Sequence, residues 1–218
     1  MNRLFVVNKP IFRTSNSYMG YIKRKYNTKK VGFSGTLDPF ATGCLIVATG
    51  QYTRLFQYLN KTPKAYAATL WLGANSESLD IENVDSIKKV KAFEIDIIEQ
   101  ILDSLKGELT YYPPKYSAKK VGGKRAYVDG TLSSLKRLYE GKFHYDNEKA
   151  LNPLAYLKIP QNYYSGNIEY MRLGKKLTVE YFSIQADGEY WIDAGDFFAV
   201  IEIINGNVSY KLNRMEKL

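Results

Sequence analysis

The first 76 residues of the chain hold a single carboxylate among eleven basic side chains. It is Asp38, in the run Gly35-Thr36-Leu37-Asp38-Pro39-Phe40-Ala41-Thr42-Gly43. Two glycines, an Asp-Pro step and no acidic neighbour make a loop whose backbone can approach a ligand closely. A carboxylate is electrostatically unwelcome beside phosphates. It persists there either to do chemistry, as nucleophile or base, or to cap a turn, because Asp before Pro is a common turn step. Other chemistries find little support. One cysteine (Cys44) and one histidine (His144) cannot form a usual zinc site, so no metal is expected. The same lone histidine has no motif around it for Cys-His or Ser-His catalysis. No Gly-x-x-x-x-Gly-Lys-Ser/Thr run exists, which excludes a P-loop. Cys44 opens an apolar run and is expected in the core, and His144 at the surface or in packing. Tyr66 follows Pro63-Lys64 on an expected strand. It can stack on a base, as aromatics do in RNA sites, or, as one of 19 tyrosines, simply pack.

The charge pattern names a partner class. Residues 77–108 carry nine carboxylates against four lysines, and residues 109–128 carry five basic side chains and no carboxylate. Residues 131–218 are neutral, with eleven of each sign, so the whole excess of +9 lies earlier in the chain. A polyanion would prefer the first and third stretches and avoid the second. With 19 tyrosines besides, a nucleic acid is the favoured partner over a merely solvated basic face.

Elements must hold these residues in place. Leu4 to Val7 reads as a strand. Thr14-Ser15 is expected to cap a helix reaching about Tyr26, with Met19, Ile22 and Tyr26 on one face. Val31 to Gly50 is dense in small and turn residues up to the buried-looking strand Cys44–Ala48. Thr53 to Leu59 reads as a short helix and Ala65 to Leu72 as a strand. Ile97, Ile98, Ile101, Leu102 and Leu105 keep helical spacing, with Gly107 as a stop. Beyond residue 150 the runs Leu177–Tyr181, Tyr190–Ile192, Phe197–Ile204 and Val208–Leu212 are β-like, and Asn205-Gly206 suits a two-residue hairpin turn. A length of 218 residues with 45% hydrophobic content suits one core or a domain with a small appendage. No apolar run is long enough to span a membrane and none resembles a secretory signal, so a cytoplasmic location is expected.

The nine residues from Gly35 to Gly43 resemble the G-T-L-D-P-x-A-T-G signature of the TruB-type tRNA pseudouridine synthases. Further pieces follow in family order. Lys9-Pro10 with Thr14-Ser15 resembles the K-P…T-S motif, and Lys64-Ala65-Tyr66 the K-x-Y element. Pro113-Pro114-Lys115-Tyr116-Ser117-Ala118-Lys119, with Gly123 and Ala126-Tyr127, resembles the P-P-x-Y-S-A-x-K…G…A-Y motif. The resemblance implies an α+β fold: a mixed, mainly antiparallel central sheet with flanking helices and a small C-terminal β-rich subdomain. It implies a catalytic domain over 1–150 and a reduced PUA-like domain over 151–218. It also implies an enzyme that flips a T-loop uridine of tRNA, at position 55, and isomerises it to pseudouridine. The resemblance further implies that no cofactor or metal is used and that the enzyme is a monomer. Asp38 matches the catalytic carboxylate, which starts cleavage of the glycosidic bond. Tyr66 matches the ring that stacks on the flipped uracil. Lys9, Gly35, Thr36 and Leu37 are expected at the substrate, and Phe33, Lys64, Tyr116, Ser117 and Lys119 at the RNA.

Two departures stand out. The family's G-H-T-G reads Gly32-Phe33-Ser34-Gly35 here, so an aromatic replaces the histidine that helps fill the space left by the flipped base. The family's S-x-G-x-Y-I-R motif, whose arginine pairs with the catalytic aspartate, has no counterpart. Leu135-Lys136-Arg137-Leu138 resembles the family's L-R-R-L beyond it, which puts the break near Tyr127–Val128. Neither Arg125 nor Arg137 matches the motif arginine. Either the segment is truly deleted or the natural protein carries residues that this sequence lacks; the open sheet edge left by deletion favours the second. Without that arginine a second reading arises, a non-catalytic tRNA-binding or folding module on the same scaffold. A basic RNA-associated protein of unrelated function fits the ordered motifs less well.

Overall fold

A computed structural model describes residues 1–91, 94–108, 110 and 130–217. In chain order the elements are β1 (Arg3–Lys9), α1 (Ser15–Lys25), β2 (Val31–Ser34), β3 (Ala41–Thr49), a 3₁₀ turn (Gly50–Leu55), β4 (Lys64–Leu72), β5 (Ala74–Ser76), β6 (Val84–Ile87), α2 (Ile95–Ser104), β7 (Gly130–Glu140) and β8 (Phe143–His144). There follow β9 (Gln161–Asn162), α3 (Ile168–Arg172), β10 (Gly188–Asp193), β11 (Phe197–Ile204) and β12 (Asn207–Glu216). This is the α+β class that the motifs implied, with a mainly antiparallel sheet and few helices. The described residues form two compact units, Met1–Ala65 with Arg137–Leu218, and Tyr66–Lys136. Residues 137–218 lie in the same unit as the N-terminal strands.

In the first unit β3 is central. Its register with antiparallel β1 runs from Arg3↔Thr49 to Lys9↔Gly43, and β2 pairs with it from Val31↔Thr49 to Ser34↔Ile46. Both faces of β3 are buried, which explains why its run Cys44-Leu45-Ile46-Val47-Ala48 is apolar at every position rather than at alternate ones. The alternate residues Leu4, Val6, Cys44, Ile46 and Ala48 form one core with Phe198, Val200, Leu212 and Met215 of β11 and β12. The opposite face of the C-terminal sheet packs a second core around Met171, Phe182, Ile192, Ile201 and Ile203. That sheet has the order β12-β11-β10-β9, and Asn205-Gly206 turns its hairpin with both residues at positive φ, 49° and 74°.

Helix α1 starts as its sequence requires. Thr14 caps it by accepting from the Ser17 N–H at 2.9 Å. Ser15, Met19 and Ile22 are buried at helical spacing, and Lys23, Arg24 and Lys25 fill the last turn, where the helix dipole favours cations. Two expectations shift. The helix read at Thr53–Leu59 is a 3₁₀ turn displaced to Gly50–Leu55, and the run Leu177–Tyr181 ends in a 3₁₀ turn at Val179–Tyr181. Cys44 is in the core as expected, where burial pushes its thiol up to about 11. His144 is exposed beside the Tyr139 ring.

In the second unit β5 and β6 pair antiparallel from Ala74↔Ile87. The Ser133 hydroxyl on β7 donates to the Thr69 carbonyl of β4 at 3.2 Å, and that of Thr131 to the Ala74 carbonyl at 3.0 Å. Helix α2 forms where the apolar spacing placed it, yet Ile97, Ile98, Ile101 and Leu102 are all exposed. No helix among the described residues is long and apolar enough to cross a membrane.

The start of β1 and the end of α1 are tied together by Glu148. Its carboxylate accepts from Lys25 Nζ at 2.7 Å and from the Tyr26 hydroxyl, and its carbonyl accepts from Arg3 Nη2 at 2.7 Å. Burial pushes this carboxyl up, but the hydrogen bonds from Lys25 and Tyr26, with the charges of Lys25 and Arg3, outweigh it and hold it below its ordinary value. A group more acidic when folded stabilises the fold above its unfolded value, about 4.3, and that contribution is lost as pH falls through the folded value. Glu148→Gln is therefore expected to melt below wild type at about pH 7, with the gap narrowing as the pH is lowered below about 4.3. Thermal melts across a descending pH series check this.

Candidate active site

The loop from Gly35 to Phe40 joins β2 to β3, and the protein holds its backbone at every residue up to Pro39. The Arg137 guanidinium donates through Nη1 to the Gly35 carbonyl and through Nη2 to the Thr36 carbonyl, both at 3.0 Å. Ser15 bonds Leu37 twice: its hydroxyl donates to the Leu37 carbonyl at 3.0 Å and accepts from the Leu37 N–H at 2.9 Å. The Asp38 carbonyl accepts from the Ala41 N–H at 3.1 Å, closing the turn that the Asp-Pro step suggested. The Pro39 carbonyl accepts from Lys9 Nζ at 3.2 Å. Five successive carbonyls are thus engaged by donors of the fold itself. Leu37 and Phe40 are buried as anchors, whereas Thr36 and Asp38 are exposed. The arrangement puts the Asp38 side chain on the solvent side of a stiffened loop.

The three side chains that make this grip, Lys9, Ser15 and Arg137, are themselves buried, as is Glu140 behind Arg137. Lys9, at the end of β1, is fully buried, and its ammonium also donates to the carbonyls of Pro10, at 3.0 Å, and Arg13. Arg137 and Glu140 form an ion pair at 2.7 Å with both side chains 1% exposed. Lys64 adds a second cation 3.6 Å from Glu140. Burying a charge is costly unless it is paired and hydrogen-bonded, and this cluster meets both conditions. At the root of the loop, Lys61 Nζ donates to the Ser34 hydroxyl at 3.0 Å.

The glycines that bound the motif follow from the same packing. Gly35 has φ +70°, and a Cβ there would lie 2.9 Å from both Glu140 carboxylate oxygens. Gly43 has φ +101°, and a Cβ there would lie 2.2 Å from the Arg137 carbonyl oxygen. Neither position tolerates a side chain, because β7 runs directly against the backbone.

Of the residues singled out in the sequence, Asp38, Lys9, Gly35, Thr36, Leu37 and Lys64 come together around this loop. Phe33 lies on β2 opposite Val47, partly exposed. Tyr66 is exposed and belongs to the second unit, two residues beyond Lys64 on β4. Tyr116, Ser117 and Lys119 lie outside the described residues, as do Gly123, Ala126 and Tyr127. Sequence reasoning missed the roles of Arg137 and Glu140. A strand turns residues three apart to opposite faces, so their spacing does not announce a pair. Ser15 was visible only as part of a motif. Among the described residues no group of three His, Cys, Asp or Glu side chains could hold a metal ion.

Comparison with known proteins assigns the family. A family model described as "TruB family pseudouridylate synthase (N terminal domain)" matches residues 23–130. The tRNA pseudouridine synthase B of Sulfurovum sp. (strain NBC37-1) is 56% identical over 272 aligned positions, which cover all of this chain and 98% of that protein. The protein of the same name from Campylobacter concisus (strain 13826) is 41% identical, with 100% of both chains covered. Among solved structures, the "archaeal box H/ACA sRNP Nop10-Cbf5 complex" superposes with a TM-score of 0.65 at 19% identity, covering 98% of this chain and 86% of the matched one, a likeness of fold. The chain belongs to the TruB family of pseudouridylate synthases. Its 218 residues fall 54 short of the 272 aligned positions, so these relatives carry residues with no counterpart here.

Gly43→Ala is expected to destabilise the protein by about 3 kcal/mol or more, from the positive φ and the clash with β7 together. Urea denaturation followed by circular dichroism measures it.

Proposed function

We propose that this chain isomerises a uridine of tRNA to pseudouridine, and that Asp38 starts the reaction. The observation that supports this reading most is the exposed Asp38 on a loop whose carbonyls, from Gly35 to Pro39, are all bound within the protein. Such a loop offers the reacting sugar a carboxylate already in place, so little ordering is required when substrate arrives. In the reaction the bond between uracil N1 and the ribose C1′ breaks, the base turns, a bond from C5 to C1′ forms, the proton on C5 leaves to solvent and N1 takes up a proton in its place. The net change is an isomerisation that needs no oxidant or reductant.

The remaining assignments complete the proposal. The target is the T-loop uridine at position 55, flipped out of its stack because a buried base cannot be reached. Tyr66 stacks on the flipped uracil, and Phe33 fills the space it vacates. Lys64, Tyr116, Ser117 and Lys119 contact the T arm. The exposed cations Lys23, Arg24, Lys29 and Lys30 add to the basic surface that attracts it. Lys9, being buried, acts through the loop backbone. The enzyme works as a cytoplasmic monomer without a cofactor, over a catalytic domain 1–150 and a reduced PUA-like domain 151–218. We place the 54-position shortfall after Tyr127, where the motif order breaks.

Asp38→Asn separates this reading from a binding module. The variant is expected to lose turnover by more than about a thousandfold, with tRNA affinity within about threefold of wild type. Tritium release from uridine-labelled tRNA and filter binding provide the two readouts. Turnover unchanged by the substitution would remove Asp38 from catalysis.

A further inference from the structure

We infer that Arg137 is a positioning residue for the reaction: its guanidinium fixes the two peptide planes immediately before Leu37-Asp38, and Glu140 with Lys64 fixes the guanidinium. The inference rests on the reading of Asp38 as the reacting carboxylate.

Three features carry it. The first is the fork. A guanidinium presents parallel N–H groups in a rigid plane, and here they reach the successive carbonyls of Gly35 and Thr36 at equal distances of 3.0 Å. Turning either peptide plane would swing the chain that leads into Asp38. The second is burial. Arg137 and Glu140 are 1% exposed, and a buried ion pair contributes little net stability compared with apolar side chains of similar volume. Stability alone does not explain two buried charges against a loop; holding one loop geometry does. The third is the close fit at Gly35, where a Cβ would meet the Glu140 carboxylate at 2.9 Å and Arg137 Nη1 at 3.0 Å. The loop backbone therefore rests directly on the pair, with no side chain between.

The opposite side of the loop is held by Ser15 on Leu37 and by Lys9 on Pro39. Those contacts come from α1 and β1, whereas Arg137 comes from β7. Removing Arg137 leaves the loop anchored at Leu37 and beyond but free to rock over Gly35 and Thr36. The expected consequence is a misplaced carboxylate on a folded protein that still binds tRNA.

Arg137→Lys keeps the charge and offers the loop one ammonium in place of a fork, Arg137→Met removes both, and Glu140→Gln keeps an acceptor for the guanidinium without its charge. Single-turnover pseudouridine formation is expected to fall about tenfold in Arg137→Lys and about a hundredfold in Arg137→Met. Tritium release reads the rate, and tRNA affinity stays within about threefold throughout. Glu140→Gln falls between wild type and Arg137→Lys. Hydrogen exchange of the peptide spanning Gly35–Ala41 supplies a readout independent of activity, and it speeds up in Arg137→Lys while the peptides of β1 and β11 keep their wild-type rates. Wild-type exchange across Gly35–Ala41 in Arg137→Lys overturns the positioning role, as does an Arg137→Lys rate within twofold of wild type, or a loss of affinity that matches the loss of rate. If wild type itself forms no pseudouridine, the reading of Asp38 fails, and the exchange data still decide whether Arg137 holds the loop.

Discussion

Two hydrogen bonds from one buried guanidinium, Arg137 to the carbonyls of Gly35 and Thr36, set the constraint around which the site is built. A buried arginine demands a counter-charge, and Glu140 supplies it from the same strand. The pair then presses against the loop so closely that position 35 must be glycine, and β7 runs so near β3 that position 43 must be glycine as well. With the carbonyls turned inward onto Arg137, Ser15 and Lys9, the exposed polar side chains of the loop are those of Thr36 and Asp38. The nine-residue motif is thus one physical object: a loop whose backbone polarity is neutralised from within, so that one carboxylate is left facing solvent.

The loop is only as firm as the strands that carry it. Residues Leu4, Val6, Cys44, Ile46 and Ala48 of β1 and β3 share a core with Phe198, Val200, Leu212 and Met215 of the C-terminal strands. With five carboxylates against two cations over residues 188–216, this sheet gives a polyanion little to hold. It gives the scaffold a great deal, because it covers the apolar face of β3 whose preceding residues form the loop. The contribution of residues 188–216 to the site is in this sense mechanical: they bury the strands from which Asp38 is presented.

Much of this was legible in the residues. Asp38 stood out by charge alone, the Asp-Pro step foretold the turn closed by Ala41, and Thr14-Ser15 marked the start of α1. The hairpin at Asn205-Gly206 was written in its turn chemistry. What stayed hidden had a common cause. Arg137 and Glu140 meet across a spacing that a strand sends to opposite faces, so only the course of β7 reveals them as partners. The run Leu177–Tyr181 has β-like composition, but its last residues wind into a 3₁₀ turn against Phe182, a choice made by packing rather than propensity. Helix α2 shows the reverse case. Its apolar stripe is plain in the sequence, yet a stripe states only that cover is called for, not what provides it, and in this chain the stripe is exposed.

The most direct test of the account is to treat an unmodified tRNA transcript with the purified wild-type chain, tag any pseudouridine with a carbodiimide, which gives this isomer a mass distinct from uridine, and locate the adduct by mass spectrometry of nuclease fragments. The account predicts a single new pseudouridine, in the T-loop fragment, formed without added metal or cofactor. A tRNA that is bound but carries no pseudouridine after prolonged incubation would contradict it, and would leave the firmly held loop as part of an RNA-binding scaffold rather than an active site.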